Sequence, residues 1–448
     1  WLHKKGHDVV VLEKETTVGG TIKTIHDNGW LVECGPNSAL ETTPLFKTLF
    51  ADLGILDELM YAADAATNRY IVRDGVLHPL PMSPTLFLKS KLWTLAGKLR
   101  LLKEPFVGRA TKDESIAEFV ERRLGKEFLD YAINPFVAGV YAGNPEELSV
   151  RSAFPKLYAL EENYGGLIKG QIAGAKERKK RAEQSKDRAQ LFSFRKGLQT
   201  LPDALAQALG KKIITNAVIQ SVRVQQNAEQ PMHEITVTSD EGETTYRARN
   251  VIFAIPSYAA AQYIQQYDSA LSEKLNSIYY PPIAEIVLGY HSSQIKRPLD
   301  GFGYLIPAKE KRNILGTIWS SVLFPERAPE GCVAFTTFVG GSRQPELVQR
   351  DEKELRQLTV DEVRQLMNID GEPIYSRVTR WAKAIPQYRL GHLQIIDHVQ
   401  KFEDTYPGIF FTGNFRGGIA VGDCVINSEK IAERVLSRNI LHTTVQGE

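Results

Sequence analysis

Ile409-Phe410-Phe411-Thr412-Gly413-Asn414-Phe415-Arg416-Gly417-Gly418-Ile419-Ala420-Val421-Gly422-Asp423 is the stretch around which the chain is organised. The run before Gly413 predicts a short strand covered on both faces. Glycines at 413, 417, 418 and 422 remove the Cβ atoms that would hold the backbone away from a flat or anionic ligand. A helix is predicted from about Val421 to Arg438. Starting after such a turn, it aims free N–H groups and a positive dipole end at whatever lies there. Taken alone, the segment reads equally as an ordinary strand–turn–helix.

The other end of the chain bears on that choice. Trp1 to Gly6 reads as the close of a helix, with His3, Lys4 and Lys5 near its C-terminus and Gly6 as a left-handed cap. Val9 to Leu12 predicts a buried parallel strand that ends in Glu13. At the end of the second strand of a dinucleotide-binding βαβ unit, an acid bonds the ribose hydroxyls. An acid that merely ends a strand in solvent is the plainer reading. The first strand and G-x-G-x-x-G turn of such a unit do not precede Glu13. The expectation is that about twenty residues of the unit are missing and that FAD is bound poorly. Gly19-Gly20-Thr21 supplies a tight turn, and Gly35-Pro36-Asn37 another after the strand Gly29 to Cys34.

The 448 residues are 43% hydrophobic and 24% charged, globular values with ample material for a core. A net charge of +2 argues against nucleic acid as the main partner. Cys34, Cys332 and Cys424 are far apart and match no metal spacing, which suggests a reducing compartment. No run approaches the length needed to span a bilayer. No Ser/His/Asp order, metal cluster or P-loop stands out, and His78, His233, His291, His392 and His398 read as structural or exposed.

Between the ends, residues 40–60 predict a helix and Asp74-Gly75 a hairpin. Residues 86–190 are helix-dominated, with Lys176 to Arg188 a solvated charge run. Lys212 to Val224 and His233 to Thr238 alternate like paired strands, and Val251 to Pro256 is a further buried strand. Ala284 to Tyr290, Gly303 to Ile306, Leu315 to Ser320 and Val333 to Val339 alternate like an antiparallel sheet, and Asp351 to Met367 is a helix. The fold class is α/β, α+β overall. A discontinuous dinucleotide lobe (1–66, 191–262, 377–448) surrounds a substrate lobe on an antiparallel or mixed sheet (67–85, 263–376) and a helical lobe (86–190).

The order V-V-V-L-E-K, then G-G-T, then G-P-N resembles the flavin-containing amine-oxidase superfamily and, within it, the oxygen-dependent protoporphyrinogen oxidase family. Asn68 to Gly75, Asn134 to Gly143, Phe192 to Pro202, Phe324 to Pro329, Thr336 to Gly341, Ile385 to Tyr388 with Gly391-His392, and the glycine stretch extend the resemblance along nearly the whole chain. It implies a Rossmann-like FAD lobe and oxidation of protoporphyrinogen to protoporphyrin, with dioxygen reoxidising the flavin and forming hydrogen peroxide. By resemblance, Arg69 holds a substrate propionate, as a guanidinium fork suits. Leu305, Ile318 (for a usual leucine) and Phe338 sandwich the macrocycle, and the Gly139 carbonyl faces its pyrrole N–H groups. Toward FAD, Glu13 takes the ribose, and Gly19, Gly20 and Thr21 the phosphates or flavin. Val218 takes the adenine side, Trp381 the flavin side, and Gly413, Asn414, Gly418, Ile419, Ala420 and Val421 the pyrophosphate and flavin rim. No catalytic side chain is assigned, because a flavin carries the chemistry itself.

Coproporphyrinogen is the alternative substrate. An amine oxidase or carotenoid desaturase on the same fold, and a flavin-free prenyl-lipid carrier of the GDI type, are remoter readings. Leu88, Leu92, Leu95, Leu99 and Leu102 fall on one helical stripe, with Lys89, Lys91, Lys98 and Arg100 off it. A core-packed helix is the first reading, and a helix lying on anionic lipid beside Trp93 the second. Cytoplasmic location, peripheral on the inner face of the cell membrane, and a homodimer complete the expectations.

Overall fold

Ile283–His291 and Cys332–Gly340, the two longest strands, pair antiparallel as the second and third strands of a seven-stranded sheet. A computed structural model describes residues 1–66, 68–181, 189–225, 232–240 and 242–444. The strand order in this sheet is Tyr375–Trp381, Ile283–His291, Cys332–Gly340, Gly316–Ile318, Gly301–Leu305, Asn68–Arg73, Val76–Pro79. Gly301–Leu305 and Asn68–Arg73 run parallel, and every other junction is antiparallel. Alternation gives the sheet two faces. One is sealed: Ala284, Ile286, Leu288 and Phe335 pack with Leu355, Val363 and Met367 of the helix Glu352–Met367. The other face builds the candidate site.

Pieces distant in sequence build the remaining sheets. Val11–Leu12 pairs parallel with Ile213–Ile214, and Val251–Phe253 parallel with Ile409–Phe411. Leu191–Phe194 lies between Ala39–Leu40 and Leu59–Tyr61. Its Phe192 meets Phe46 and Phe50 edge-on, at 5.0 and 5.5 Å between ring centres, a favourable aromatic geometry. Val218–Arg223, His233–Ser239 and Gly242–Ala248 form an antiparallel sheet whose Val222 and Ile235 share a core with Phe253 and Phe411.

From Pro84 to Arg181 the described residues contain helices and no named strand. A buried charge network holds this part together. Arg123 bonds Glu104 at 3.0 Å and also Glu161, and all three are buried. Glu104 in turn accepts the backbone N–H groups of Leu167 and Ile168, at 2.7 and 3.1 Å, where the helix Leu167–Arg181 begins.

Several expectations need correction. The strand after Gly6 is only Val11–Leu12, and Val10 and Val11 are exposed, because among the described residues it pairs along one edge alone. The helix within 40–60 is Leu45–Leu53, closed by Gly54 in the left-handed conformation. Position 377 cuts a strand: Tyr375–Trp381 is an edge of the large sheet, its polar alternation suiting an edge. The leucine stripe is not one helix. Pro84–Lys89 and Leu95–Arg100 flank a break where Leu92 and Trp93 turn inward, Trp93 stacking on Phe128 at 4.8 Å. Leu88, Leu95, Leu99 and Leu102 stay 54–72% exposed, so neither a core-packed helix nor a surface Trp93 describes the segment. Much of the charge run Lys176 to Arg188 lies outside the described residues.

Candidate active site

The strand Ile409–Phe411 is fully buried, as a run without polar side chains must be, and it delivers the chain to Gly413. Thr412 donates its N–H to Phe253 O at 3.0 Å, extending the parallel pairing one residue. Gly413 then takes φ +132°, Gly417 +79° and Gly418 +125°, which L side chains resist. The loop is held from outside. Tyr388 Oη donates to Asn414 O at 2.6 Å and accepts from Gly418 N–H at 3.1 Å. His392 Nε2 lies 2.9 Å from Phe415 O; a carbonyl only accepts, so Nε2 carries the proton. Burial pushes the Tyr388 hydroxyl well up and brings His392 down to about 4, so both stay neutral at ordinary pH. Arg416 is tied to Glu403 at 2.6 Å, and Asn427 Nδ2 donates to Arg416 O at 2.9 Å. Beyond the loop runs the helix Val421–Thr444, and Asp423 accepts the Ala420 N–H at 3.3 Å.

The sequence-predicted cofactor residues fall into neighbouring groups. Glu13 accepts Ala217 N–H through its carbonyl at 2.9 Å, so it stands beside Val218, whose side chain is 47% exposed. Gly19, Gly20 and Thr21 pack between Pro202 and Gly35: a Cβ at Gly19 would come 3.1 Å from Pro202, and Gly35 lies against the Thr21 carbonyl. At Gly20, with φ +59°, a Cβ would meet nothing within 4 Å, and at Gly413 nothing nearer than 3.7 Å. Both glycines leave backbone open beside free space. Trp381 Nε1 donates to Cys34 O at 2.5 Å, joining the large sheet to the Gly35 turn. Ile419 reaches across to the core of the helical part. Partly exposed acid at one end, bare glycine backbone in the middle and a long helix starting at Val421 form a donor set that fits a dinucleotide with a pyrophosphate.

The open face of the large sheet carries the other predicted residues. In its register, Ile71, Leu305, Gly316 and Phe338 stand in one row, and Arg69, Gly303, Ile318 and Thr336 in the next. Leu305, Ile318, Phe338 and Arg69 therefore share one face. Gly139 lies in the helix Asn134–Tyr141, not in a turn, and it meets this face: a Cβ there would come 2.5 Å from Leu305 Cδ2. Gly139 is also within the final turn, whose carbonyls lack the following turn's donors. Of three arginines on the face, Arg73 pairs with Glu127 at 2.8 Å and Arg377 with Asp27 at 3.8 Å. Arg69 is exposed over the Phe302 ring at 5.8 Å, and no carboxylate among the described residues pairs with it.

Tyr388 links the two regions. It holds the glycine loop, and its ring meets Tyr141 at 6.1 Å, in the helix that bears Gly139. The neighbouring Gln387 Nε2 donates to Tyr141 O at 2.7 Å. Sequence reasoning quoted Tyr388 and His392 as part of a motif but gave them no task. A tyrosine four residues before a histidine was the available signal.

The chain matches the family described as flavin containing amine oxidoreductase over residues 2–436. It is 32% identical to protoporphyrinogen oxidase 2, chloroplastic/mitochondrial, of Arabidopsis thaliana over 97% of this chain and 90% of that protein. It is 28% identical to coproporphyrinogen III oxidase of Bacillus subtilis (strain 168) over 93% of this chain and 89% of that one. A solved structure from Exiguobacterium sp. 255-15, a proposed protoporphyrinogen oxidase, shares the fold with a TM-score of 0.78 at 21% identity, covering 95% of this chain and 92% of its own.

Proposed function

The chain belongs to the flavin-containing amine oxidoreductase family, and from that premise we propose that it oxidises protoporphyrinogen IX to protoporphyrin IX with dioxygen as acceptor. It is an oxidoreductase of porphyrin biosynthesis with FAD as cofactor. When bound, FAD would supply the hydride-accepting chemistry, so that the protein's own side chains need supply only binding and orientation. The observation that carries the substrate is the sheet face: apolar Leu305, Ile318 and Phe338 beside the guanidinium of Arg69, which no carboxylate among the described residues pairs with. A broad apolar macrocycle with carboxylates on its rim matches that surface.

The protein's part is binding and orientation. Arg69 holds a propionate through charge-assisted hydrogen bonds. Leu305, Ile318 and Phe338 cover the ring and exclude water, while Gly139 permits its close approach. Glu13 binds the ribose and Val218 borders the adenine. Gly19, Gly20, Thr21 and the Gly413, Asn414, Gly418, Ile419, Ala420 and Val421 backbone follow the pyrophosphate and flavin, with Trp381 on the flavin side. Tyr388 and His392 keep that backbone in one shape.

The same protein sits on an anionic membrane surface at the inner face of the cell membrane. Supporting this, Leu86, Leu88, Leu95, Leu99, Leu102 and Phe106 are 54–88% exposed beside Lys89, Lys91 and Lys103. No helix among the described residues is long and apolar enough to cross a membrane.

Incubating the purified flavoprotein with freshly reduced protoporphyrinogen or coproporphyrinogen in air tests the reading. Porphyrin fluorescence with matching peroxide, faster for protoporphyrinogen, is expected. Faster coproporphyrin formation transfers the assignment to the alternative substrate. No porphyrin from either overturns it.

A further inference from the structure

Among the described strand residues on the site face of the large sheet, Glu285 is the one carboxyl. It stands across from Phe338 on one neighbouring strand and Thr379 on the other, and it is 3% exposed. Its Oε1 accepts a 2.7 Å hydrogen bond from Asn37 Nδ2, which also donates to Gly35 O at 3.1 Å. With Gly35 O an obligate acceptor, the amide NH₂ faces these two partners and its carbonyl Oδ1 turns away from them. Asn37 lines a small, partly open pocket together with Ile318 and Thr336, both on the face assigned to substrate.

A carboxyl buried in a strand is costly, and an apolar side chain would fill the place without desolvation. Burial pushes the Glu285 carboxyl well above the usual carboxylate range, and nearby Glu33 adds to the shift. The cations around it are engaged elsewhere. Arg327 faces Glu33 at 3.4 Å, and Arg377 faces Asp27. Burial without a cation partner among the described residues favours the uncharged form of Glu285, and its described hydrogen-bond partner is Asn37.

We propose that Glu285 is a positioning residue: through Asn37 it fixes a carbonyl acceptor, Asn37 Oδ1, at the edge of the cleft for the N–H donors of the ring bound there. This rests on the cleft being a porphyrinogen site. A ring held by its inner N–H groups as well as by Arg69 is fixed at two points, so its rotation in the cleft is limited.

Kinetics on Glu285→Leu, Asn37→Leu, their double variant and Glu285→Gln test the proposal, with protoporphyrinogen as substrate and with bound-flavin absorbance and thermal unfolding followed in parallel. Each leucine variant is expected to raise KM about tenfold, the loss of one hydrogen bond, with flavin content unchanged. The double variant should be no worse than Asn37→Leu alone. Glu285→Gln, an uncharged acceptor of the same shape, should restore most of what leucine loses. Multiplying effects in the double variant, or glutamine as damaging as leucine, overturns the proposal. If Glu285→Leu does not accumulate, an unchanged KM in Asn37→Leu is equally decisive against it. A wild type that makes no porphyrin overturns the reading of the cleft, and the role of Asn37 falls with it.

Discussion

The rings of Tyr388 and His392 stack 4.2 Å apart and 12° from parallel, and both reach the same glycine loop. The tyrosine hydroxyl bridges Asn414 O and Gly418 N–H, while the imidazole holds Phe415 O. Tyr388→Phe keeps the stack and removes both hydroxyl bonds. Weaker FAD binding by about 1–3 kcal/mol is expected, read by titrating apoprotein with FAD and following flavin fluorescence. Unchanged affinity would mean that the loop keeps its shape without the hydroxyl.

His392 also gives the protein an acid limb. It is neutral when folded, with a value of about 4, against 6.5 for an ordinary histidine. Between those values the unfolded chain binds more protons than the folded one, so stability falls as pH drops from 6.5 toward 4. The loss is on the order of 3 kcal/mol, complete below pH 4. Urea unfolding across this range should show the slope, and His392→Gln should flatten it.

Arg69→Ala should weaken apparent porphyrinogen binding by about 1.5–3 kcal/mol, the range for hydrogen bonds to charged groups, and leave flavin content alone. A propionate-esterified porphyrinogen has no carboxylate to lose, so its KM should be indifferent to the change. An equal loss for both substrates counts against a propionate at Arg69.

Arg123→Met strips the cation from Glu104 and Glu161. Removing one partner of a buried ion network leaves uncompensated charge, and a cost of about 3–5 kcal/mol is expected in urea unfolding. A change under about 1 kcal/mol would mean that the two acids take up protons and relax.

The exposed leucines around the break at Ser90–Thr94 predict sedimentation with anionic vesicles at low salt. Leu95→Glu with Leu99→Glu should abolish it without lowering porphyrinogen oxidation in detergent. Absence of binding by the unaltered protein would remove the membrane from its function.

The parts legible in the sequence are those fixed by neighbouring residues. Ile409 to Val421 reads as strand, glycine turn and helix because each signal lies within its own segment. The alternation of Ile283–His291 and Cys332–Gly340 likewise announces the sheet. Illegible parts depend on distant partners. The leucine stripe breaks because Glu127 accepts the Thr94 N–H at 3.0 Å, and Arg73 engages Leu92 O at 2.5 Å. Periodicity near residue 90 carries no trace of either. Glu285 is visible as an acid in an apolar run, but its partner Asn37 is 248 residues away.

The position of Leu191–Phe194 between Ala39–Leu40 and Leu59–Tyr61 bears on the birth of the chain. On the ribosome, those two early strands lack their central neighbour until Phe194 has emerged. Val251–Phe253 waits for Phe411 in the same way. Apolar segments such as Phe46 to Phe50 are thus synthesised long before Phe192 and Phe194 can cover them, which lengthens the interval in which the nascent chain exposes apolar surface. Any product released before Ile409 leaves Val251–Phe253 unpaired, a substrate for proteolysis instead of a smaller folded protein.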